Sequence, residues 1–253
     1  MKVKYLDLKN KRVFISGGGS GIGATIVKHF CEQNSEVYFI DIDIKASKKL
    51  IKNIKKKKLR TPNFIECNIL DIKKLQNTIQ EIINKKGPIH CLINSAANDD
   101  RHTTEQVDEK YWENRMGINL KHYFFAAQAV VKGMKKIKSG SIVNLSSVSW
   151  MLGEGDKVVY ETAKSAVVGL TRSFAQEFGK YNIRTNSVIP GSIATKRQIK
   201  HWLTPKYKKL ILDSQALKRQ LKPDDVARLV LFLSSDQSSG CTKQSFVVDA
   251  GIA

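Results

Sequence analysis

Apolar positions along the chain fall into two alternating patterns. Short continuous runs rich in β-branched and aromatic residues predict buried strands: Arg12-Val13-Phe14-Ile15-Ser16, Glu36-Val37-Tyr38-Phe39-Ile40, Phe64-Ile65-Glu66-Cys67, His90-Cys91-Leu92-Ile93, Ser141-Ile142-Val143-Asn144-Leu145, 183–189 and 245–249. Between them, apolar residues recur at helical spacing and predict amphipathic helices over 24–33, 48–60, 71–86, 108–138, from Tyr160 through Phe178, and from Pro223 onward. In the 71–86 segment, Ile72, Leu75, Ile79, Ile82 and Ile83 share one side. The 108–138 region is interrupted by Gly117 and carries Asn119. The segment 192–215 is irregular and aromatic, with Trp202 and Tyr207, and predicts a lid or a small helical insertion. Strands alternating with helices from end to end predict one doubly wound α/β domain with a parallel sheet, spanning residues 1–253. No linker, internal repeat or low-complexity segment divides it.

Composition narrows the class. The chain has 253 residues, 42% hydrophobic and 26% charged with only 5 Pro, which is globular. No apolar run approaches the roughly 18 residues of a membrane span. The N-terminus is polar and shows no secretory core. Cys31, Cys67, Cys91 and Cys241 lie far apart without metal-ligand spacing, so they read as small buried hydrophobes in a reducing, cytoplasmic compartment, with no metal site implied. The formal net charge of +20 is spread along the chain, and its densest cluster, 48–60, sits on one amphipathic stretch beside Leu50, Ile51, Ile54 and Leu59. No nucleic-acid motif accompanies it, so the excess reads as solvated surface rather than a specific nucleic-acid site.

Candidate chemistry collects at the strand ends. Gly17-Gly18-Gly19-Ser20-Gly21-Ile22-Gly23 follows the first strand and opens the first helix, the setting in which backbone N–H groups and a helix N-terminus hold a phosphate. The second strand ends at Asp41, where a carboxylate would accept from both ribose hydroxyls and repel a 2′-phosphate. That reading favours NAD over NADP; Asp43 is close enough to substitute, and an acid here could instead cap the next helix. Asn94-Ser95-Ala96-Ala97 ends the fourth strand with small residues, and a polar cluster, Asn98-Asp99-Asp100-Arg101-His102, follows in a loop. Tyr160 and Lys164 are four apart and share a helix face. A neighbouring ammonium would bring the tyrosine toward neutrality, where a general base works, although such pairs also occur on ordinary solvated helices.

Together these residues resemble the short-chain dehydrogenase/reductase family along nearly the whole chain. Gly17, Gly21 and Gly23 match its cofactor turn, Asn119 its catalytic asparagine, Ser147 its serine, Tyr160 and Lys164 its catalytic pair, and Pro190-Gly191 with Thr195 its nicotinamide-side pattern. Asn68 departs from a usual aspartate, and Ala97 from a motif glycine. The resemblance implies a Rossmann fold, a homotetramer with helices near 124–134 and 167–178 at an interface, and cofactor contacts from Ser20, Ile22, Asn68, Ile69, Asn94, Ala96 and Ile193 besides the motif residues. A closer resemblance, to the NAD-dependent sugar 1-dehydrogenases of this family, rests on residues 98–102, Ser149-Trp150, Tyr160-Glu161-Thr162-Ala163-Lys164, Thr195-Lys196-Arg197-Gln198 and Trp202-Leu203-Thr204-Pro205. It implies oxidation of a D-xylose-like aldopyranose at C1, with Tyr160 as base, Ser147 on the substrate oxygen, Lys164 on the nicotinamide ribose and Asn119 holding a relay water. Asn98, Ser149, Trp150, Glu154, Arg197 and Trp202 are then the candidate sugar contacts. Arg101 and Asp100 can also simply pair with each other. Another aldose, 3-oxoacyl carrier-protein reduction, or an inactive basic nucleic-acid-binding protein are the alternatives.

Overall fold

The computed structural model describes residues 3–253; Met1 and Lys2, which open the polar N-terminus, lie outside them. Seven strands form one parallel sheet: β1 (Arg12–Ser16), β2 (Glu36–Asp41), β3 (Asn63–Glu66), β4 (Cys91–Asn94), β5 (Gly140–Leu145), β6 (Ile183–Pro190) and β7 (Ser245–Val248). Their spatial order is β3-β2-β1-β4-β5-β6-β7. Val13, Phe14 and Ile15 of the central β1 are all fully buried, because helices cover both faces of a parallel sheet. Val13 and Ile15 pack with Ile26 and Phe30 of α1 (Gly21–Glu32), Ile54 of α2 (Ile44–Lys56) and Val230 on the helix at 223–234. Phe14 packs with Leu75 and Ile79 of α3 (Ile72–Lys86), in a cluster that Phe174 and Phe178 also join. Each such side chain contributes about 1.5–3 kcal/mol relative to exposure.

The chain leaves β1 toward β2 on one side and returns to pair β4 on the other, so the strand order reverses between β1 and β4. A crevice opens beyond their carboxyl ends, where a doubly wound fold holds its ligand. Gly17, Asp41 and residues 94–98 all follow from strands ending there.

The 108–138 region does not break at Gly117. Here α4 (Glu109–Met116) continues through a π-helical turn, Gly117–Lys121, into α5 (His122–Ile137). Gly117 keeps an ordinary right-handed φ of −56°, and a Cβ there would meet only the Leu70 Cδ2 methyl, at 2.7 Å. A four-residue helix, α6 (Ser149–Leu152), precedes α7 (Val158–Phe178), and nothing in the sequence pattern marks it. The 192–215 segment resolves into α8 (Lys196–His201) and α9 (Pro205–Ser214), capped by Thr195 and Thr204; α10 (Pro223–Ser234) starts at the proline that predicts it. Among the described residues, no helix is long and apolar enough to cross a membrane.

Candidate active site

The glycine turn is shaped for a phosphate. Gly17 and Gly21 have φ of +70° and +53°, and a Cβ on Gly23 would lie 1.9 Å from the Gly17 carbonyl oxygen. Ser20 is the N-cap of α1 but makes no side-chain cap, so the first-turn N–H groups, those of Ile22 and Gly23 among them, face the crevice uncapped. The space beside Gly21 ends on the Thr195 methyl, 3.4 Å from where a Cβ would stand, so Thr195 forms the opposite wall. These features fit a dinucleotide.

The two acids at the end of β2 divide their work. Asp43 caps α2 by accepting from the Ala46 N–H at 2.8 Å. Asp41 accepts from the Gly19 N–H at 2.8 Å and the Asp43 N–H at 2.9 Å, which fixes the carboxylate against the glycine turn. Asn68 is exposed and closes the turn into α3 through Leu70 N–H, with Ile69 half-buried behind it. Ile193 is buried and bridges Leu221; Gly191 packs so closely on Asp249 that a Cβ would come within 2.8 Å of its Cα.

Asn94 departs from expectation. Its side chain is fully buried and donates to Asn144 Oδ1 at 2.9 Å, and Asn144 donates in turn to Thr171 on α7. The carboxamide therefore braces α7 against the sheet instead of reaching the crevice. Past it, Ala96 lies against Gly17, where a glycine Cβ would approach the Ala96 Cα at 2.6 Å.

Asn119, in the π turn, is also fully buried. Its Oδ1 accepts from the Asn98 N–H at 2.9 Å and its Nδ2 donates to the Asn98 carbonyl at 3.0 Å. Both ends of the side-chain amide are engaged with the backbone of the loop after β4, so Asn119 positions that loop. His122 adds a second tie, 3.2 Å from the Ala96 carbonyl, and burial keeps its ring neutral, with a pKa lowered to about 3. The π turn thus sets two polar side chains, three residues apart, against one loop. Asn98 Oδ1 closes that loop through Asp100 N–H.

Tyr160 stands in the first turn of α7 and Lys164 one turn later. Lys164 Nζ lies 5.6 Å from the Tyr160 ring centre and donates to the Leu145 carbonyl at 2.8 Å. Ser147 shares its hydroxyl with Ser149 at 3.0 Å and hydrogen-bonds Tyr160, which lowers the phenol pKa. That is outweighed: burial first, then the Asp99 carboxylate, raises Tyr160 above its usual value. The shift is therefore opposite to the expected one toward neutrality. Burial acts oppositely on Lys164 and lowers it to about 7, with Asp99 pulling weakly back. Within the 98–102 cluster of polar candidates for a sugar, Asp99 is the residue whose carboxylate acts on both Tyr160 and Lys164, a role its position in the sequence does not show.

A charged roof covers the crevice. Arg197 on α8 pairs with Asp99 at 3.3 Å and with Asp100, and Gln198 donates to Asp99. Arg101 does not pair with Asp100; it bonds Asp156 and lies over the Trp202 ring at 4.7 Å, while Asp100 takes Arg115. The Trp202 Nε1 is buried without a partner. Glu154 is held by Lys157 and Trp150 donates its indole N–H to Ser146 at 3.2 Å, so both are tied locally. Glu154, Asp156 and Glu161 cluster closely enough to suggest a cation site, but Lys157 sits among all three.

A family model described as "Enoyl-(Acyl carrier protein) reductase" matches residues 17–253. D-xylose 1-dehydrogenase of Caulobacter vibrioides is 42% identical over 247 residues, covering 98% of this chain and 97% of that protein. A Rhizobium meliloti protein named "Probable galactose dehydrogenase GalD" is 38% identical over 249 residues, covering 98% and 97%. Among solved structures, a 3-oxoacyl-[acyl-carrier protein] reductase from Brucella melitensis superposes with a TM-score of 0.90 at 26% identity, covering 100% of this chain and 98% of that one. With its glycine turn, Tyr160–Lys164 pair and sheet order in place, the chain belongs to the short-chain dehydrogenase/reductase family.

Proposed function

We propose that the protein oxidises the C1 hydroxyl of an aldopyranose, of the D-xylose type, to a lactone with NAD as hydride acceptor. The observation that carries this reading is the polar roof over Tyr160. Asp99 acts on the Tyr160 phenol and gathers Arg197 and Gln198 around itself, and a sugar needs such polar density because each buried hydroxyl must find a partner. The unpartnered Trp202 Nε1 adds a donor there, and the names of the two sugar-dehydrogenase relatives agree.

In this mechanism Tyr160 accepts the C1 hydroxyl proton as the C1 hydride departs. A bound NAD would supply the hydride acceptor. Ser147 holds the substrate oxygen. Lys164 has one N–H left to hold the nicotinamide ribose, and Asp41 takes the adenosine ribose hydroxyls and disfavours a 2′-phosphate. Asn119 keeps the 94–98 wall in place through Asn98. The protein acts in the cytoplasm as a homotetramer; Trp112, Phe124 and Val158, apolar and exposed on α4, α5 and α7, support a subunit interface.

A panel of aldoses offered with NAD and with NADP, followed by absorbance of the reduced cofactor, tests the reading. Turnover of one or more aldoses with NAD is expected. Tyr160→Phe is expected to lose at least about 100-fold in kcat, the scale of one general base, and Asp41→Ala to admit NADP. Silence with every aldose, alongside turnover of a 3-oxoacyl thioester, would transfer the protein to carrier-protein reduction.

A further inference from the structure

Tyr123, on the first turn of α5, has no solvent exposure. Its hydroxyl lies 2.9 Å from Lys164 Nζ and donates to the Leu145 carbonyl at 2.9 Å. Lys164 Nζ reaches the same carbonyl at 2.8 Å, so three polar groups close a triangle. The Tyr123 ring centre is 5.1 Å from Nζ. The ammonium therefore sits between two phenols, one facing the crevice and one sealed in the core.

A buried tyrosine needs one partner for its O–H, and the Leu145 carbonyl already provides it. The second contact uses the phenol oxygen as an acceptor, and Lys164 is the group that needs it. Only 1% of Lys164 is exposed, and among the described residues no carboxylate stands within ion-pair distance of it. We propose that Tyr123 is a positioning residue of the active site: its phenol oxygen and the Leu145 carbonyl take two of the three Lys164 N–H groups and aim the third into the crevice beside Tyr160. This rests on the assignment of Tyr160 and Lys164 as the reacting pair.

The other titratable groups at this corner are known. Tyr160 shares α7 with the lysine, Asp99 acts from the loop after β4, and His122 stands next to Tyr123 as a neutral ring. Glu154 and Glu161 act on Tyr160 from the turn before α7 and from α7 itself. An oxygen that accepts from an ammonium favours the charged lysine. Its loss is therefore expected to lower the Lys164 titration midpoint further and to deprive Tyr160 of its cation at neutral pH.

The test is a titration by NMR of protein labelled with ¹³C at lysine Cε, with the Lys164 resonance assigned as the one missing in Lys164→Arg. In Tyr123→Phe the midpoint is expected about one pH unit lower than in the wild type, the worth of one charge-assisted hydrogen bond. Incorporation of 3-fluorotyrosine at position 123 keeps the shape but weakens the acceptor, so a smaller shift in the same direction is expected even if Tyr123→Phe fails to fold. In turnover, the ascending limb of kcat against pH should move upward while the aldose KM stays put. Coincident Lys164 midpoints in wild type and variants overturn the proposal, and so does a uniform fall in kcat with an unmoved pH profile. A wild-type enzyme silent on aldoses refutes the substrate instead, and the titration still decides the role of Tyr123.

Discussion

Lys164 burdens the fold in order to serve the site. Burial lowers its pKa to about 7 from the usual 10.5, so between those values the unfolded chain binds the proton that the folded chain releases. The destabilisation is complete below pH 7 and is relieved as pH rises to 10.5. Tyr160 runs the other way: its raised pKa stabilises the fold at neutral pH, and that contribution is lost as pH climbs past 10. Lys164→Met is expected to melt several degrees above the wild type at about pH 6, with the gap narrowing by about pH 10. Calorimetric scans at both ends check it, and an equal gap at the two would show that the ammonium is not the source. At this scale the sequence is readable where one helical turn defines the geometry, as for Tyr160 and Lys164. It is unreadable where a partner arrives from elsewhere: Asp41 and Asp43 are alike until one caps a helix, and Tyr123 meets Lys164 across 41 positions.

Elements show the same division for a different physical reason. The inner strands of the parallel sheet are buried and so read as apolar runs, whereas the edge strands β3 and β7 bury no residue and show only as short β-branched and aromatic runs. The four residues of α6 are too few to show a period, and α8 and α9 bury no residue at all, so neither carries an apolar stripe. A π turn leaves composition untouched and cannot be seen in advance. The α8–α9 pair is held by charges instead of a core, through Arg197 to Asp99 and Asp100 and through Arg101 over Trp202. Segments held this way open locally at little cost. Arg197→Ala is expected to speed amide exchange across 196–214 and to raise the sugar KM several-fold, leaving exchange in the sheet unchanged. Protection of α8 equal to that of the wild type would mean that the clamp does not hold the pair.

At the scale of the molecule, a net charge of +20 works against compactness. The thirteen residues of α2 include no acid, so its lysines add to the excess without local neutralisation. The melting temperature is expected to rise as salt is added from about 10 mM to about 150 mM, where the Debye length falls from roughly 30 Å to roughly 8 Å. A melt insensitive to salt would indicate that the charges are already compensated. Fold class was legible throughout, because alternation of strand and helix is a property of the whole chain that single misread boundaries do not disturb. The reversal of strand order has a consequence for the nascent chain. Val13 pairs with Cys91, 78 positions later, so β1 leaves the ribosome long before its second neighbour exists. At about 5–20 residues per second, the apolar edge of β1 stands open for roughly 4–16 s. During that interval β1, paired only on the β2 side, is a site for chaperone capture or for pairing with another nascent copy.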